Sequence, residues 1–154
     1  MKISIVSPGK VREKWLRAGI DEYIKRLQRY SSVELVEVAD FADQLTPGVA
    51  RVREGKAILS RLKERPFVVA LDQKGKEHSS EELAQLLPRW FEQGASEIVF
   101  VIGGATGLDP AVLERADYTI SLSDMTFTHQ MCRLILLEQC YRAFRIAGNE
   151  PYHK

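Results

Sequence analysis

The stretch Ile98-Val99-Phe100-Val101-Ile102, followed by Gly103-Gly104-Ala105-Thr106-Gly107, decides the fold class of this 154-residue chain. Five consecutive apolar residues without polar alternation are typical of a strand buried on both faces of a parallel sheet. Three glycines then follow where the chain leaves that strand, and glycine lets a backbone approach a ligand closely. Because open α/β sheets bind ligands at this carboxyl edge, the stretch predicts a binding pocket. A tight turn without a ligand is the alternative, since the spacing matches neither G-x-G-x-x-G nor a P-loop.

Strand and helix patterns alternate along the whole sequence, with no linker or repeat between them. The predicted strands are residues 2–7, 33–38, 67–71, 98–102 and 118–122, and the predicted helices are 13–30, 49–63, 79–94, 109–117 and 129–147. A polar turn is predicted at 72–76, and Pro88 is expected to kink or interrupt its helix. This alternation predicts one α/β domain, residues 1–154, with a mostly parallel sheet covered by helices.

The first predicted helix has an apolar face that is expected to pack on the sheet. The residues of this face are Trp15, Leu16, Ile20, Tyr23, Ile24 and Leu27.

Composition narrows the class of protein. A hydrophobic content of 45% and a charged content of 28% are typical of a globular protein. No apolar run reaches the roughly 20 residues of a membrane span, and the N-terminus lacks a secretory signal. Cys132 and Cys140 lie eight positions apart on one predicted helix, about 12 Å, which is too far for a disulfide. We therefore expect a cytoplasmic protein with reduced thiols and no membrane partner.

Charge is distributed unevenly along the chain, although the net charge is only +1. Residues 1–65 carry 14 Lys and Arg against 9 Asp and Glu, whereas residues 66–154 carry 8 against 12. The leading basic cluster consists of Lys10, Arg12, Lys14 and Arg17. A basic half on a nearly neutral protein suggests an anionic partner such as RNA. Solvated helix faces with ordinary ion pairs are the alternative.

The last predicted helix, 129–147, carries apolar residues in nearly every direction. Its apolar positions are Met131, Cys132, Leu134, Ile135, Leu136, Leu137, Cys140, Tyr141, Phe144 and Ile146. A helix that is apolar all round is buried all round, and one small sheet covers only one side of it. We therefore expect a two-fold homodimer built on this helix. A fully intramolecular core helix is the alternative.

Four separated motifs make a resemblance specific. They are Phe100–Leu108 with its three glycines, Leu122-Ser123-x-Met125-Thr126-Phe127-x-His129, Tyr141-Arg142-Ala143 and the terminal Tyr152-His153-Lys154. Together with residues 1–14 and 71–76, they resemble the small pseudouridine-N3 methyltransferases of large-subunit ribosomal RNA, a family of the SPOUT superfamily. The similarity runs from end to end of the chain.

This resemblance implies a fold, a cofactor and a substrate. The fold would be an α/β knot, in which the C-terminal part is threaded through a loop as a deep trefoil, a rare exception to unknotted chains. The loops after three strands would form one cleft for S-adenosylmethionine, and the enzyme would be a homodimer that uses no metal. The implied cofactor positions are Leu71, Gly103, Gly104, Leu122, Ser123, Asp124, Met125, Thr126 and Phe127.

The implied reaction is methylation of N3 of a pseudouridine in 23S ribosomal RNA, on assembled 70S ribosomes. Two other functions stay open: a SPOUT methyltransferase acting on transfer RNA, and a non-catalytic ribosome-binding or assembly factor. Calorimetry of cofactor binding followed by methyl transfer to ribosomes would separate them.

Four residues carry side chains suited to this chemistry. His129 and His153 are candidate general bases, because histidine titrates near neutral pH. Tyr152 offers a stacking surface for an unpaired base, and Arg142 offers a cation for a phosphate or a carbonyl oxygen. A role for His129 in shaping the cofactor loop is the alternative. Thr128 stands where similar sequences commonly carry proline, and its hydroxyl can cap the following helix instead.

Overall fold

Five parallel strands form one sheet in the computed structural model, which describes residues 1–152. The strands are β1 (Lys2–Pro8), β2 (Ser32–Val38), β3 (Phe67–Glu77), β4 (Glu97–Ile102) and β5 (Tyr118–Ser121), in the order β2-β1-β4-β3-β5. Every neighbouring pair is parallel. The predicted α/β class with a parallel sheet is therefore confirmed.

Five helices cover the two faces of the sheet in the described part of the chain. They are α1 (Lys14–Leu27), α2 (Pro47–Leu59), α3 (Ser80–Gln93), α4 (Pro110–Arg115) and α5 (His129–Ala147). Helices α1, α3 and α5 enclose the larger core on one face, around Ile5, Phe100 and Leu136. Helices α2 and α4 enclose the smaller core on the other face, around Val101 and Ile58. No helix described here is both long and apolar enough to cross a membrane.

The predicted central strand 98–102 lies in the interior of the sheet. Its register pairs Phe100 with Ile5 of β1 on one side and with Val69 of β3 on the other. The residues of the strand are buried, so the uninterrupted apolar run reflects burial on both faces. The alternating strand β2 lies at the edge of the sheet, and its residues are exposed or only partly buried.

The third strand departs from its prediction. β3 extends to Glu77 rather than ending at Leu71, and the predicted polar turn 72–76 is an excursion within it. Leu71 and Lys76 both pair with Ile120, so the chain leaves the ladder after Leu71 and returns at the same level. A Cβ on Gly75 would lie 2.5 Å from the backbone carbonyl carbon of Ile120, which explains why glycine is needed where the chain returns.

Two further expectations about helices are corrected. Helix α2 begins at Pro47 and ends at Leu59, earlier than the predicted 49–63, since proline is favourable in the first turn. Pro88 does not interrupt α3, which runs unbroken to Gln93 with the proline on its exposed side. The predicted capping box is present, with Ser79 and Glu82 bonded reciprocally.

Helix α5 has the predicted bounds and begins at the predicted cap. The Thr128 hydroxyl oxygen accepts a hydrogen bond from the Met131 amide at 3.2 Å. The helix packs against both α1 and α3, and Leu136, Leu137 and Cys140 are fully buried. The knotted threading that the resemblance implies for this part of the chain stays a prediction.

Candidate functional site

A cavity of about 1050 Å³ opens at the carboxyl ends of three adjacent strands. Leu71 of β3, Ile102 of β4 and Ser121 of β5 form its floor, because parallel strands bring their carboxyl ends to one edge. The loop after β4 and the loop between β5 and α5 form its walls, and the first turn of α1 forms part of its rim. The predicted pocket at this edge of the sheet is thus present.

The glycine loop after β4 folds tightly on itself. A Cβ on Gly103 would lie 2.7 Å from the backbone carbonyl carbon of Gly107, so no other residue fits without a backbone shift. Gly107 has φ +82°, a left-handed conformation that favours glycine. Gly103 is therefore required by the close approach of the loop's own backbone, whereas the sequence suggested close approach to a ligand.

A buried carboxyl group supports this loop from behind. Glu54 of α2 is 1% exposed, and its Oε1 lies 2.8 Å from the position that a Cβ on Gly104 would take. The Phe41 amide donates to Glu54 Oε2 at 2.9 Å. Burial raises the pKa of the Glu54 carboxyl, and the neighbouring Asp40 carboxyl raises it further. Glu54 could not be predicted from the sequence, because nothing in the pattern of α2 marks one glutamate as buried.

The loop between β5 and α5 is held by short-range hydrogen bonds. The Met125 amide donates to Ser123 Oγ at 3.0 Å, and Ser121 Oγ donates to the Ser123 carbonyl oxygen at 3.2 Å. Gln73, in the β3 excursion, donates from Nε2 to the Asp124 carbonyl oxygen at 3.2 Å. The excursion and the loop are therefore joined across the mouth of the cavity.

The cavity gathers eight of the nine implied cofactor positions. Leu71, Gly103, Gly104, Leu122, Ser123, Met125, Thr126 and Phe127 all line it. Asp124 does not line the cavity, and its carbonyl group instead bonds Gln73. Gln73, Ala105 and Cys132 also line the cavity and were not among the predicted site residues.

His129 lies at the start of α5 and lines the same cavity. Its Nε2 is buried and has no hydrogen-bond partner within residues 1–152. Burial lowers the pKa of the imidazole, and the positive charge of Arg133 lowers it further. The ring is therefore held toward its neutral form, which can accept a proton.

Arg133, one turn further along α5, is 1% exposed and was not among the predicted site residues. Its Nη2 donates to the Pro8 carbonyl oxygen at 2.7 Å and to Ser7 Oγ at 3.2 Å. Burial lowers the pKa of the guanidinium, and the carboxylates of Glu37 and Asp40 oppose that effect. Arg133 thus ties the end of β1 to α5 and keeps a positive charge beside His129.

Arg142 and Tyr152 form a second cluster, distant from the cavity. Arg142 Nη2 lies 2.6 Å from Glu138 Oε1, and the guanidinium lies over the Tyr152 ring at 4.9 Å from its centroid. The Tyr152 hydroxyl lies 3.3 Å from that of Tyr23 and donates to Glu138 at 3.2 Å. Burial raises the pKa of the Tyr152 phenol.

The four catalytic candidates are therefore not gathered in one place. Residues 129 and 142 are separated by about 20 Å along a helix that rises about 1.5 Å per residue. One subunit by itself does not bring Arg142 and Tyr152 to His129. His153, the fourth candidate, lies outside the described residues.

The predicted basic cluster flanks the cavity. Lys10 and Arg12 lie in the loop between β1 and α1, and Lys14 and Arg17 lie in the first turn of α1. Arg17 forms ion pairs with Asp21 at 3.5 Å and with Glu37 at 3.4 Å. Beside this loop, Trp15 is 61% exposed and lines the cavity, which corrects its predicted place on the buried face of α1.

In the described part of the chain, no group of three or more His, Cys, Asp or Glu residues is arranged to hold a metal ion.

Comparison with known proteins gives one family and many relatives. The family model described as "Predicted SPOUT methyltransferase" matches residues 1–153. Relatives named "Ribosomal RNA large subunit methyltransferase H" are 48% identical in Acetivibrio thermocellus and 49% identical in Clostridium botulinum strain Hall and in Bifidobacterium animalis subsp. lactis. Each comparison covers the whole of both chains.

A solved structure shares the fold. A probable methylase family protein from Haemophilus influenzae Rd KW20 matches 99% of this chain and 70% of its own, with a TM-score of 0.55. The two sequences are only 13% identical, so this likeness concerns the arrangement of strands and helices alone.

Proposed function

The chain belongs to the SPOUT methyltransferase family, and from this premise we propose that it methylates large-subunit ribosomal RNA with S-adenosylmethionine. The proposed acceptor is N3 of a pseudouridine in 23S RNA, on assembled 70S ribosomes in the cytoplasm. The proposed enzyme is a single domain that spans residues 1–154. Full-length identity of 48–49% to proteins named as ribosomal RNA large subunit methyltransferases supports this substrate class.

One observation supports the proposed cofactor most strongly. The ends of three parallel strands and two loops enclose a single cavity. Its volume of about 1050 Å³ lies just above the roughly 300–1,000 Å³ of small-molecule sites, which leaves room for part of a second reactant. Leu71, Ile102 and Leu122 offer apolar walls for an adenosine group, and the loop backbones offer polar groups. These residues fit S-adenosylmethionine, which supplies an activated methyl group on its sulfonium sulfur when bound.

The chain's own residues must bind and orient the two reactants and must remove one proton from the acceptor. The acceptor nitrogen carries a proton that has to leave when the new N–C bond forms. His129 lines the cavity, and its buried Nε2 has no hydrogen-bond partner in the described residues. We assign the role of proton acceptor to the His129 imidazole, since burial and the charge of Arg133 both hold it neutral.

We also propose that a homodimer completes the site. Arg142 lies about 20 Å along α5 from His129, and Tyr152 packs against Arg142, so neither shares the substrate of His129 within one subunit. If two α5 helices pair antiparallel about a two-fold axis near Ile135, halfway between residues 129 and 142, the partner's Arg142 comes level with the start of α5, where the cavity lies. Ile135 is half-buried and lines a smaller cavity of about 300 Å³ on this side of the helix.

The decisive experiment blocks the cavity and measures S-adenosylmethionine binding and methyl transfer separately. Ala105 lines the cavity and is exposed, so Ala105→Trp should fill the space without disturbing the core. Ala111→Trp is the matched control, because Ala111 is exposed on α4 and does not line the cavity. Calorimetry should give S-adenosylmethionine binding by the wild type and the control and none by Ala105→Trp.

Methyl transfer is then measured on two purified substrates, 70S ribosomes and transfer RNA. We expect labelled methyl on 70S ribosomes, within 23S RNA, and none on transfer RNA. Labelling of transfer RNA alone would replace the proposed substrate. Cofactor binding without methyl transfer to either substrate would contradict the enzymatic proposal and favour a binding factor.

A further inference from the structure

Trp15 is an exposed aromatic residue at the cavity rim, and it has no part in the proposed cofactor binding or proton transfer. Trp15 is 61% exposed, whereas the other tryptophan, Trp90, is buried and stacks on Phe67. Within residues 1–152, no aromatic ring and no cation contacts the Trp15 indole. Most proteins bury tryptophan largely, so an open indole beside a cavity is an available binding surface.

Trp15 belongs to an apolar rim around the cavity. Six large hydrophobic side chains are exposed in the described residues, and three of them, Trp15, Met125 and Phe127, line this one cavity. Leu16 and Ile20 point into the core, which directs Trp15 to the rim. The indole stands at the edge nearest the loop between β1 and α1.

That loop provides positive charge that is not neutralised by the subunit itself. Lys10, Arg12 and Lys14 are exposed, and none of them forms an ion pair within the described range 1–152. Arg17, by contrast, is paired with Asp21 and Glu37. Three cations without an ion pair in the described residues therefore lie within five positions of one open indole, which stands at the mouth of the cavity.

Cations that follow a phosphate backbone, together with an aromatic ring on which a base stacks, are the two parts of a single-stranded nucleic-acid site. We propose that an unpaired base of the RNA substrate stacks on Trp15, with its neighbouring phosphates on Lys10, Arg12 and Lys14. This inference rests on the proposed function and adds the residue that holds the RNA at the cavity.

Tyr152 is less available for the same purpose in this subunit. Arg142 lies over its ring, Tyr141 meets it edge-on at a centroid distance of 4.9 Å, and its hydroxyl contacts Tyr23. A base would have to displace these groups in order to stack on Tyr152. The Trp15 indole requires no such displacement, which favours it as the stacking surface.

The first test uses the fluorescence of the two tryptophans. A single-stranded oligouridylate RNA should quench the wild type, because a stacked base quenches an exposed indole. Trp15→Phe retains only the buried Trp90, so its emission should not respond to the RNA. Added salt should abolish the quenching, since each released phosphate contact contributes about 0.7 to the log–log slope on single strands.

The second test compares Trp15→Ala, Trp15→Phe and the control Val52→Ala on ribosomes. Val52 is another exposed hydrophobic residue, on α2, and it does not line the cavity. We expect Trp15→Ala to weaken ribosome binding about ten- to hundredfold, the usual effect of removing one stacking platform. Trp15→Phe should restore most of that loss, and Val52→Ala should leave binding unchanged.

Three results would overturn the inference. Unchanged ribosome affinity in Trp15→Ala would exclude stacking. A loss of S-adenosylmethionine affinity as large as the loss of ribosome affinity would make Trp15 a cofactor contact. Conversion of the variant to a monomer would make Trp15 an interface residue. These arms measure binding and quenching, so they decide the role of Trp15 even if the wild type transfers no methyl group. Absence of methyl transfer with intact quenching would contradict only the enzymatic proposal.

Discussion

Positions 103 and 107 require glycine for different physical reasons, a close backbone contact at Gly103 and a positive φ at Gly107. Substitutions can distinguish these two reasons. A Cβ on Gly103 would lie 2.7 Å from the Gly107 backbone, whereas a Cβ on Gly107 would meet no atom within 4 Å. Gly103→Ala should therefore lower the free energy of unfolding by about 1–3 kcal/mol, as overpacking does. Gly107→Asn should cost less than about 1 kcal/mol, because asparagine tolerates the left-handed region.

Urea denaturation of both variants measures this difference. Equal losses of stability would show that strain at φ, and not the collision with the backbone, governs both positions. Cofactor affinity should follow the same order, since only the collision at Gly103 displaces the cavity wall.

His129 should make stability depend on pH in a defined direction. Its pKa in the folded protein lies below the ordinary 6.5, because burial and Arg133 disfavour the imidazolium. As the pH falls below about 6.5, the unfolded chain binds the proton more readily, so the free energy of unfolding decreases. His129→Gln should lose this contribution and show a flatter dependence between about pH 7.5 and about pH 5.5. A slope identical to that of the wild type would mean that other groups cause it.

Individual residues were the hardest to predict from the sequence. Trp15 fits the apolar stripe of α1, yet it lies beyond the core because Leu16 and Ile20 occupy the face that packs. Arg133 is indistinguishable from a surface arginine, since its partners Ser7 and Pro8 are more than 120 positions away. Periodicity reports the direction of a side chain on its own helix, and it contains no information about distant partners.

At the scale of elements, the start of α5 depends on one hydroxyl group. Thr128 accepts the Met131 amide, and it occupies the position before the candidate base His129. Thr128→Ala should lower the free energy of unfolding by about 1 kcal/mol, the usual value of a lost N-cap, while Thr128→Ser should match the wild type. Thermal or urea denaturation measures both. Equal stability of the alanine and serine variants would show that the cap contributes nothing here.

The bounds of α5 and the position of β4 follow from strong local signals, an N-cap and an uninterrupted apolar run. The extent of β3 was harder to predict from the sequence, because its polar residues 72–76 have the composition of a turn. They leave and rejoin the ladder opposite Ile120, and that pairing depends on a strand about 45 positions further along the chain. Local composition predicts that a ladder is interrupted, and tertiary pairing decides that it resumes.

At the scale of the whole molecule, the proposed dimer is tested through Ile135. An arginine there would place two like charges together at the proposed two-fold axis, so Ile135→Arg should give a monomer. Sedimentation should change from about twice 17.5 kDa to about 17.5 kDa. Cofactor binding should survive, while methyl transfer should fall to background. A monomeric variant with full activity would exclude a shared site.

Mixing two inactive variants gives the sharper test of a shared site. Ala105→Trp blocks the cavity and keeps Arg142, whereas Arg142→Ala keeps the cavity. After subunit exchange, half of the dimers are mixed and each has one intact site, so about a quarter of the wild-type activity should return. If every subunit works alone, no activity returns.

The position of the cavity follows from general rules for parallel sheets, whereas the size of the cavity does not. Alternating strands and helices predict a covered parallel sheet, and its carboxyl edge predicts a pocket. The volume depends on how the β5–α5 loop is held by Ser123 and Gln73, and those bonds join separate segments. The sequence could therefore indicate the edge of the sheet and most of the lining residues, but not the shape they enclose.

The two thiols of α5 give the protein a built-in pair of chemical reporters. Cys132 is half-buried and lines the cavity, whereas Cys140 is fully buried. Burial raises the pKa of both thiols, that of Cys140 to about 12, so alkylation of Cys140 has to await opening of the core. Labelling of Cys132 by iodoacetamide should slow when the cavity is filled, and labelling of Cys140 should follow global unfolding. Mass spectrometry of one sample would then give occupancy and stability together, without an added probe.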